Sequence, residues 1–211
     1  MRDIPMFTTD YGVASLCLGN VAYTNTAYIH IQDTSEPAVF LKECSDFCRG
    51  VGAETVFATG HEYLENDIPA VSVLEMFADN LSETTTALLI PVQEETMEQW
   101  RTIYNQKMSR VPSAAHITFH AAKKYLKEGN CYFIYQNEVL IGIGVASGNR
   151  IDAVASLQKG AGKDIVLALK TALSSTEVTL CVAESNRKAI DLYQSLGFVI
   201  TRTIEKWYKI I

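Results

Sequence analysis

Between Glu184 and Phe198 the chain reads ESNRKAIDLYQSLGF, a helix with both of its ends written into the sequence. Ser185 or Asn186 offers a side-chain oxygen for the N-cap, and Ala189, Ile190, Tyr193 and Leu196 fall on one apolar stripe. Gly197 suits the left-handed position that ends a helix, and Phe198 just beyond it is placed to pack back on Tyr193, as in a Schellman motif. Capping and packing alone explain every residue of the stretch. Its neighbours constrain it further, because the β-branched run VTLCVA precedes it and FVITRTI follows it, so a strand, a short helix and another strand succeed one another closely.

Read upstream, the same alternation of periods continues. ALLIPV begins a series with a strand, followed by a helix EETMEQWRTIYNQKM, a second helix around SAAHITFHAAKKYLKEG, and a strand CYFIYQ. After a turn at Asn137 come EVLIGIGVASG and IDAVASL as strands, a helix from Gly162 to about Leu173, VTLCVA, the capped helix, and the final strands FVITRTI and WYKII. That order, β-α-α-β-β-β-α-β-α-β, predicts an α+β domain with a mixed, mostly antiparallel sheet flanked by helices. The amino-terminal part reads β-β-α-β-α: GVASLCLGN and TAYIHIQD as strands, a helix opened by Pro37, the strand ETVFATG and a helix AVSVLEMFADNL. The polar run Ser82–Ala87 is the natural boundary, giving a smaller α/β half-domain over 1–86 and a larger domain over 87–211.

The chain has 211 residues, 48% of them hydrophobic and 20% charged, enough to bury a core. Its net charge of -6 gives no global positive field for nucleic acid or anionic lipid. No apolar run approaches the length of a membrane span, and the start MRDIPMFTTDYG lacks the apolar core of a secretory signal. The five cysteines, odd in number and scattered, read as reduced thiols. Together these features lead us to expect a cytoplasmic protein without nucleic-acid or membrane partners; a homodimer is left open.

Two glycine pairs invite comparison. In SLQKGAGKDIVLALK, Gly160 and Gly162 sit between a strand and an amphipathic helix, where a turn can aim backbone N–H groups and the positive helix end at a phosphate, with Lys159 and Lys163 adding charge. A plain strand-to-helix connection explains the same residues. Gly142 and Gly144, in LIGIGVASG, lie inside an apolar β run with no helix to follow, so they read as strand glycines that permit a bulge or a close approach. His116 and His120 lie four apart on the expected second helix, but Ile117 stands where a zinc-protease pattern needs Glu, and no metal site is expected.

Taken in order, the glycine turn opening a helix, the strand VTLCVA, and N-x-x-A-I-x-L-Y-x-x-L-G-F before the terminal strands resemble the GNAT superfamily of acyl-CoA N-acyltransferases over roughly residues 87 to 211. The resemblance implies a GNAT-type sheet and acetyl-CoA as cosubstrate, with no metal. It implies that Lys159, Gly160, Ala161, Gly162 and Lys163 hold the CoA pyrophosphate on backbone amides, and that Val154 and Ala155 run beside the pantetheine arm. By the same resemblance Asn186 contacts the cofactor and Tyr193 protonates the departing thiolate. The family pattern R/Q-x-x-G-x-G/A is altered here: Leu157 stands three before Gly160, with Gln158 shifted by one. The amino-terminal part resembles a reduced, degenerate copy of such a domain, without the glycine turn.

The implied chemistry is direct attack of a primary amine on the thioester, with charge developing on the carbonyl oxygen and a phenol of ordinary pKa about 10 available to the sulfur. The acceptor is an amine-bearing molecule that the sequence does not specify. A non-catalytic CoA-binding or regulatory module of the same fold is the alternative.

Overall fold

The structure, a computed structural model, describes residues 5–109, 111, 114 and 116–211. The opening residues 1–4 of the stretch read for a signal, and Ser113 and Ala115 of the expected second helix, lie outside them. The chain divides into two compact units that are interleaved along the sequence. The first gathers the described residues through Ser72, those between 112 and 116, and Glu205–Ile211; the second gathers the remaining described residues between Val73 and Ile204.

The first unit contains β1 (Met6–Thr9), β2 (Gly12–Cys17), a single turn α1 (Val21–Thr24), β3 (Thr26–Thr34), α2 (Pro37–Gly50) and β4 (Thr55–Thr59). β1, β2 and β3 pair antiparallel in sequence order, and β4 returns parallel to β3 after the α2 crossover. Pro37 opens α2, and Phe40, Leu41, Cys44 and Cys48 recur on one buried face. That face packs with Leu16, Ile29, Ile31, Val56 and Ala58 from the strands.

The second unit begins with β5 (Val71–Ala78), most of which belongs to it, and β6 (Leu88–Pro91). It continues with α3 (Met97–Met108), α4 (Phe119–Glu128), β7 (Cys131–Gln136), β8 (Val139–Ser147) and β9 (Arg150–Ser156). α5 (Gly162–Lys170), β10 (Val178–Ala183), α6 (Arg187–Ser195) and β11 (Val199–Lys209) complete the chain. Its strands run β5-β10-β9-β8-β7-β6, all antiparallel except the β9–β10 pair. Positive φ at Asn137 and Glu138 makes the tight turn between β7 and β8, the geometry that two-residue hairpins favour.

β8 reads as a continuous apolar run because both of its faces are covered. On one face Ile143 and Val145 pack with Met97 and Trp100 of α3 and Ala122 of α4. On the other, Ile141 and Ala146 join the core of α5 and α6, where Ile165 to Leu169 are all buried. Gly142 and Gly144 face α5 as strand glycines that admit a close approach. A Cβ on Gly142 would stand 2.4 Å from Ile165 Cδ1, and one on Gly144 would stand 2.5 Å from Leu169 Cδ1. Ile165 and Leu169 are one helical turn apart, so a single ridge of α5 lies in the groove that the two missing side chains leave.

Three sequence expectations are corrected. AVSVLEMFADNL is not a helix: residues 71–78 form β5, with Leu74, Met76 and Ala78 buried at strand spacing and paired to β10. Through that pairing β5 sits in the sheet of the second unit. The second helix starts only at Phe119, capped by Thr118 Oγ1, which accepts from the Ala121 N–H at 3.2 Å. His116 therefore precedes the helix, the one-turn pairing with His120 is lost, and no group of three metal-ligating side chains occurs among the described residues. Finally, the strand parts of FVITRTI and WYKII run on as one strand, β11 (Val199–Lys209), since no turn residue interrupts them. Among the described residues no helix is long and apolar enough to cross a membrane.

Candidate functional site

The parallel pair β9–β10 of the second unit is short. β9 and β10 are in register at Arg150 opposite Thr179 and at Ile151 opposite Leu180. Beyond that point each strand keeps its other neighbour: β9 stays with β8 as far as Ser156 opposite Gly142, and β10 stays with β5 as far as Ala183 opposite Val73. The parting coincides with a bulge. Ala153 lies opposite Val145 and Ile151 opposite Ala146, so Asp152 is an extra residue on β9 and bends the strand away. A wedge thus opens between the carboxyl ends of β9 and β10, with Val154 and Ala155 along its β9 side. Val154 packs with the α5 and α6 core, whereas Ala155 is buried with α3 and α4.

β9 leads directly to the start of α5. Ser156 Oγ donates to Gln158 O at 2.5 Å, and the Ala161 N–H donates to the same carbonyl at 3.3 Å, which folds the turn tightly. Gly160 has φ +88°, a left-handed value that glycine adopts without strain. Ala161 occupies the N-cap and has no side-chain acceptor to offer the first N–H groups of α5. Those groups have no acceptor within the helix either, so the helix end presents donors and the positive end of its dipole. A Cβ on Gly162 would lie 2.7 Å from Leu192 Cδ2, so glycine here lets α6 come against the start of α5.

Two lysines flank this helix end. Lys159 is exposed, while Lys163 forms an ion pair with Glu83. Glu83 belongs to a strap between β5 and β6 that is tied along α5. Thr85 Oγ1 donates to Asp164 Oδ1 at 2.5 Å, and Lys170 Nζ donates to Leu81 O. Sequence reading did not connect this strap to the turn, because nothing local in SETTTA announces a helix partner.

α6 carries the remaining candidates. Asn186 is the N-cap, its Oδ1 accepting from the Ala189 N–H at 3.3 Å. At the other end the Phe198 N–H donates to Tyr193 O and the Gly197 N–H to Gln194 O, both at 3.0 Å, with Gly197 at φ +98°. That is the expected Schellman ending, and the Tyr193 and Phe198 rings lie 5.8 Å apart. Tyr193 is 8% exposed and shares a core cluster with Ala161, Leu180 and Val182, which brings α6, the start of α5 and β10 together. Burial pushes its phenol up to about 12, so it holds its proton at neutral pH.

The face of the sheet opposite α5 and α6 holds a charged group that sequence reading missed. Arg150 Nε donates to Asp152 Oδ1 at 2.7 Å, and its Nη2 lies 3.3 Å from Cys181 Sγ. Cys181 stands opposite Glu75 on β5. Arg202 Nε donates to Glu75 Oε2 at 2.9 Å, and this hydrogen bond holds the Glu75 carboxyl below the usual carboxylate range. Burial raises the Cys181 thiol, with the Arg150 charge opposing. Arg150-x-Asp152 was visible as a strand-spaced pair, but its neighbours come from strands whose register the sequence does not state.

No family and no curated protein matches this sequence. Solved structures do match its fold. A functionally unknown conserved protein from Staphylococcus epidermidis superposes with a TM-score of 0.58 at 14% identity, over 99% of this chain and 94% of that one. A GCN5-related N-acetyltransferase from Sphaerobacter thermophilus gives 0.59 at 12% identity, over 93% and 75%. The tandem GNAT protein from the clavulanic acid biosynthesis pathway gives 0.51 at 13% identity, over 94% and 78%. The chain has a GNAT-type α+β fold, with helices on both faces of the second unit's sheet.

Proposed function

We propose that this protein is an acetyl-CoA-dependent N-acetyltransferase with one cofactor site, in the second unit. The observation that carries the reading is the wedge between β9 and β10, which runs from the paired residues Ile151 and Leu180 towards an α5 end that no side chain caps. A pyrophosphate is a chemical match for that end: the N–H groups of the turn from Lys159 to Lys163 donate, and the helix dipole favours the negative charge. The Leu157 substitution does not touch these donors, since they belong to the backbone. An extended arm laid along Val154 and Ala155 finds strand-like donors and acceptors on the wedge side of β9. Asn186 spends its oxygen on the α6 cap and keeps its amide group for a contact.

In the reaction an amine nitrogen attacks the thioester carbon and the carbon–sulfur bond breaks. Tyr193, protonated up to about pH 12, donates its hydroxyl proton to the departing sulfur. A cytoplasmic setting agrees with the five cysteines, all of them free thiols. The first unit acts in this proposal as a degenerate companion, because its parallel pair β3–β4 stays in register to the last residue of β4 and opens no wedge. The low exposure of Tyr193 supports the second reading, a module that binds CoA without transfer.

Two measurements separate these. Acetyl-CoA at about 100 times its dissociation constant adds about 2.7 kcal/mol, and for a chain of this length raises the melting temperature by about 5–10 °C. No shift at millimolar ligand refutes the CoA site. Tyr193→Phe retains the shift and slows transfer by about a hundredfold or more; transfer by neither form, with the shift intact, supports the binding module.

A further inference from the structure

Resting on the CoA reading, the charged group on the sheet face away from α5 and α6 points to a class of acceptor. Asp152 is the first residue of β9 past the last register pair with β10, and Cys181 is the first of β10, so both flank the apex of the wedge. Ile151, Leu180 and Val182 face the α5 and α6 core. Their strand neighbours Arg150 and Cys181 therefore face the opposite way, and Glu75, opposite Cys181, shares that face. A nucleophile approaching a thioester in the wedge meets this face, because the other is filled by the core of α5 and α6. What it meets is a matched set: Arg150 with Asp152, and Arg202 with Glu75.

The pairing limits what can bind. A simple amine arrives as an ammonium, takes a carboxylate from its arginine, and leaves a guanidinium without a partner. A diamine does so twice. An acceptor that carries its own carboxylate takes the acid of one pair and the arginine of the other, and the halves left over, Arg150 and Glu75, are opposite in sign and near enough for the Arg150 charge to help lower the Glu75 carboxyl. We infer that the face formed by Glu75, Arg150, Asp152, Cys181 and Arg202 is the acceptor site, and that the acceptor is a small zwitterion with an amine and a nearby carboxylate, of the amino-acid class.

Within that site Asp152, at the apex, receives the ammonium, and Arg202, whose side chain is 68% exposed, receives the carboxylate from the solvent side. The reaction then balances: R–NH3⁺ and the acetyl thioester give R–NH–acetyl, the thiol and one proton. Of the two protons that leave nitrogen, one replaces the proton that Tyr193 gives to sulfur and the other passes to solvent.

The test measures thiol release from acetyl-CoA with the common L-amino acids, and with amines that lack the α-carboxylate: histamine beside histidine, tyramine beside tyrosine, cadaverine beside lysine. At least one amino acid is expected to exceed its decarboxylated partner in kcat/KM by about tenfold or more. Arg202→Gln is expected to raise KM for that amino acid by about tenfold and to leave the amine within about twofold, with Arg202→Lys recovering part of the loss. Melting curves of each variant with and without acetyl-CoA run alongside. Equal use of amines, equal effects of Arg202→Gln on both classes, or transfer to no member of the panel overturns the acceptor assignment while an acetyl-CoA shift leaves the CoA site standing. Absence of that shift overturns both.

Discussion

Gly142→Ala tests the contact that seats α5, and with it the turn from Lys159 to Lys163 proposed for the pyrophosphate. The new Cβ would lie 2.4 Å from Ile165 Cδ1, 2.9 Å from Ile165 Cγ1 and 2.8 Å from Ala155 O. Ile165 is fully buried, so its side chain has no open volume to swing into, and the Ala155 carbonyl belongs to the sheet. Relief requires α5 to lift from β8, at about 1–3 kcal/mol for such overpacking. Loss of unfolded-state freedom on replacing glycine returns about 0.4–1 kcal/mol. The expected net is a destabilisation of about 1–2 kcal/mol, or about 2–8 °C in melting temperature. Gly50→Ala, where a Cβ meets nothing within 4 Å, is the control and is expected to be neutral or stabilising. Ile165→Val removes the Cδ1 responsible for the shortest contact. In a double-mutant cycle measured by urea unfolding, it should offset Gly142→Ala by about 0.5–1.5 kcal/mol while leaving the clash with Ala155 O in place. Because a lifted α5 carries the turn from Lys159 to Lys163 with it, acetyl-CoA affinity should fall together with stability. A Gly142→Ala protein as stable as the parent, or a cycle with no coupling, refutes the claim that α5 sits in the groove left by Gly142 and Gly144.

Other consequences concern charge. Burial pushes the thiols of Cys44 to about 12 and of Cys48 and Cys131 to about 11, against an ordinary value of 9.0, and Tyr193 behaves alike. These groups hold protons in the folded state that the unfolded chain releases first, so their contribution is complete below pH 9 and is lost as pH rises from 9 towards 12. The melting temperature should be level in this respect from pH 7 to 8.5 and then decline; a level curve to pH 11 contradicts the burial of these groups. Glu83→Gln frees Lys163 from an ion pair whose side chains are each about half exposed, so stability should change by no more than about 1 kcal/mol. Acetyl-CoA should bind several-fold more tightly by calorimetry, and unchanged affinity would mean that Lys163 does not meet the phosphates.

Local signals were legible in the sequence and long-range register was not. The caps of α6, its Schellman ending at Gly197 and Phe198, and the glycine turn before α5 depend on residues within a few positions of one another, and each stands as read. β5 was misread because Val71, Leu74 and Ala78 fit a helical stripe while Leu74, Met76 and Ala78 fit a strand. Pairing with β10 decides between them, and that partner lies far along the chain. The same limit hid the group of Glu75, Cys181 and Arg202, which exists only once β5, β10 and β11 are aligned. It also hid the bulge at Asp152, for which no residue type is diagnostic.

Two parallel strand pairs among the described residues show how register, rather than residue type, makes the proposed site. Both are strand, crossover helix, strand: β3–α2–β4 in the first unit and β9–α5–β10 in the second. In the first, register runs from Thr26 opposite Thr55 to His30 opposite Thr59, and Gly60 keeps the chain so close that a Cβ there would stand 2.4 Å from Ile31 O. No edge is left for a ligand backbone to join. In the second, register ends at Leu180 with Cys181 to Ala183 still to come, and the extra residue Asp152 turns β9 away just there. The crossover helices differ to match. α2 opens with Pro37, which fills its first position with a ring and removes one donor, whereas α5 opens with Gly162 behind an N-cap alanine and keeps its donors. A wedge without donors, or donors without a wedge, would hold only half of an extended phosphate-bearing cosubstrate, and the second unit alone combines them among the described residues.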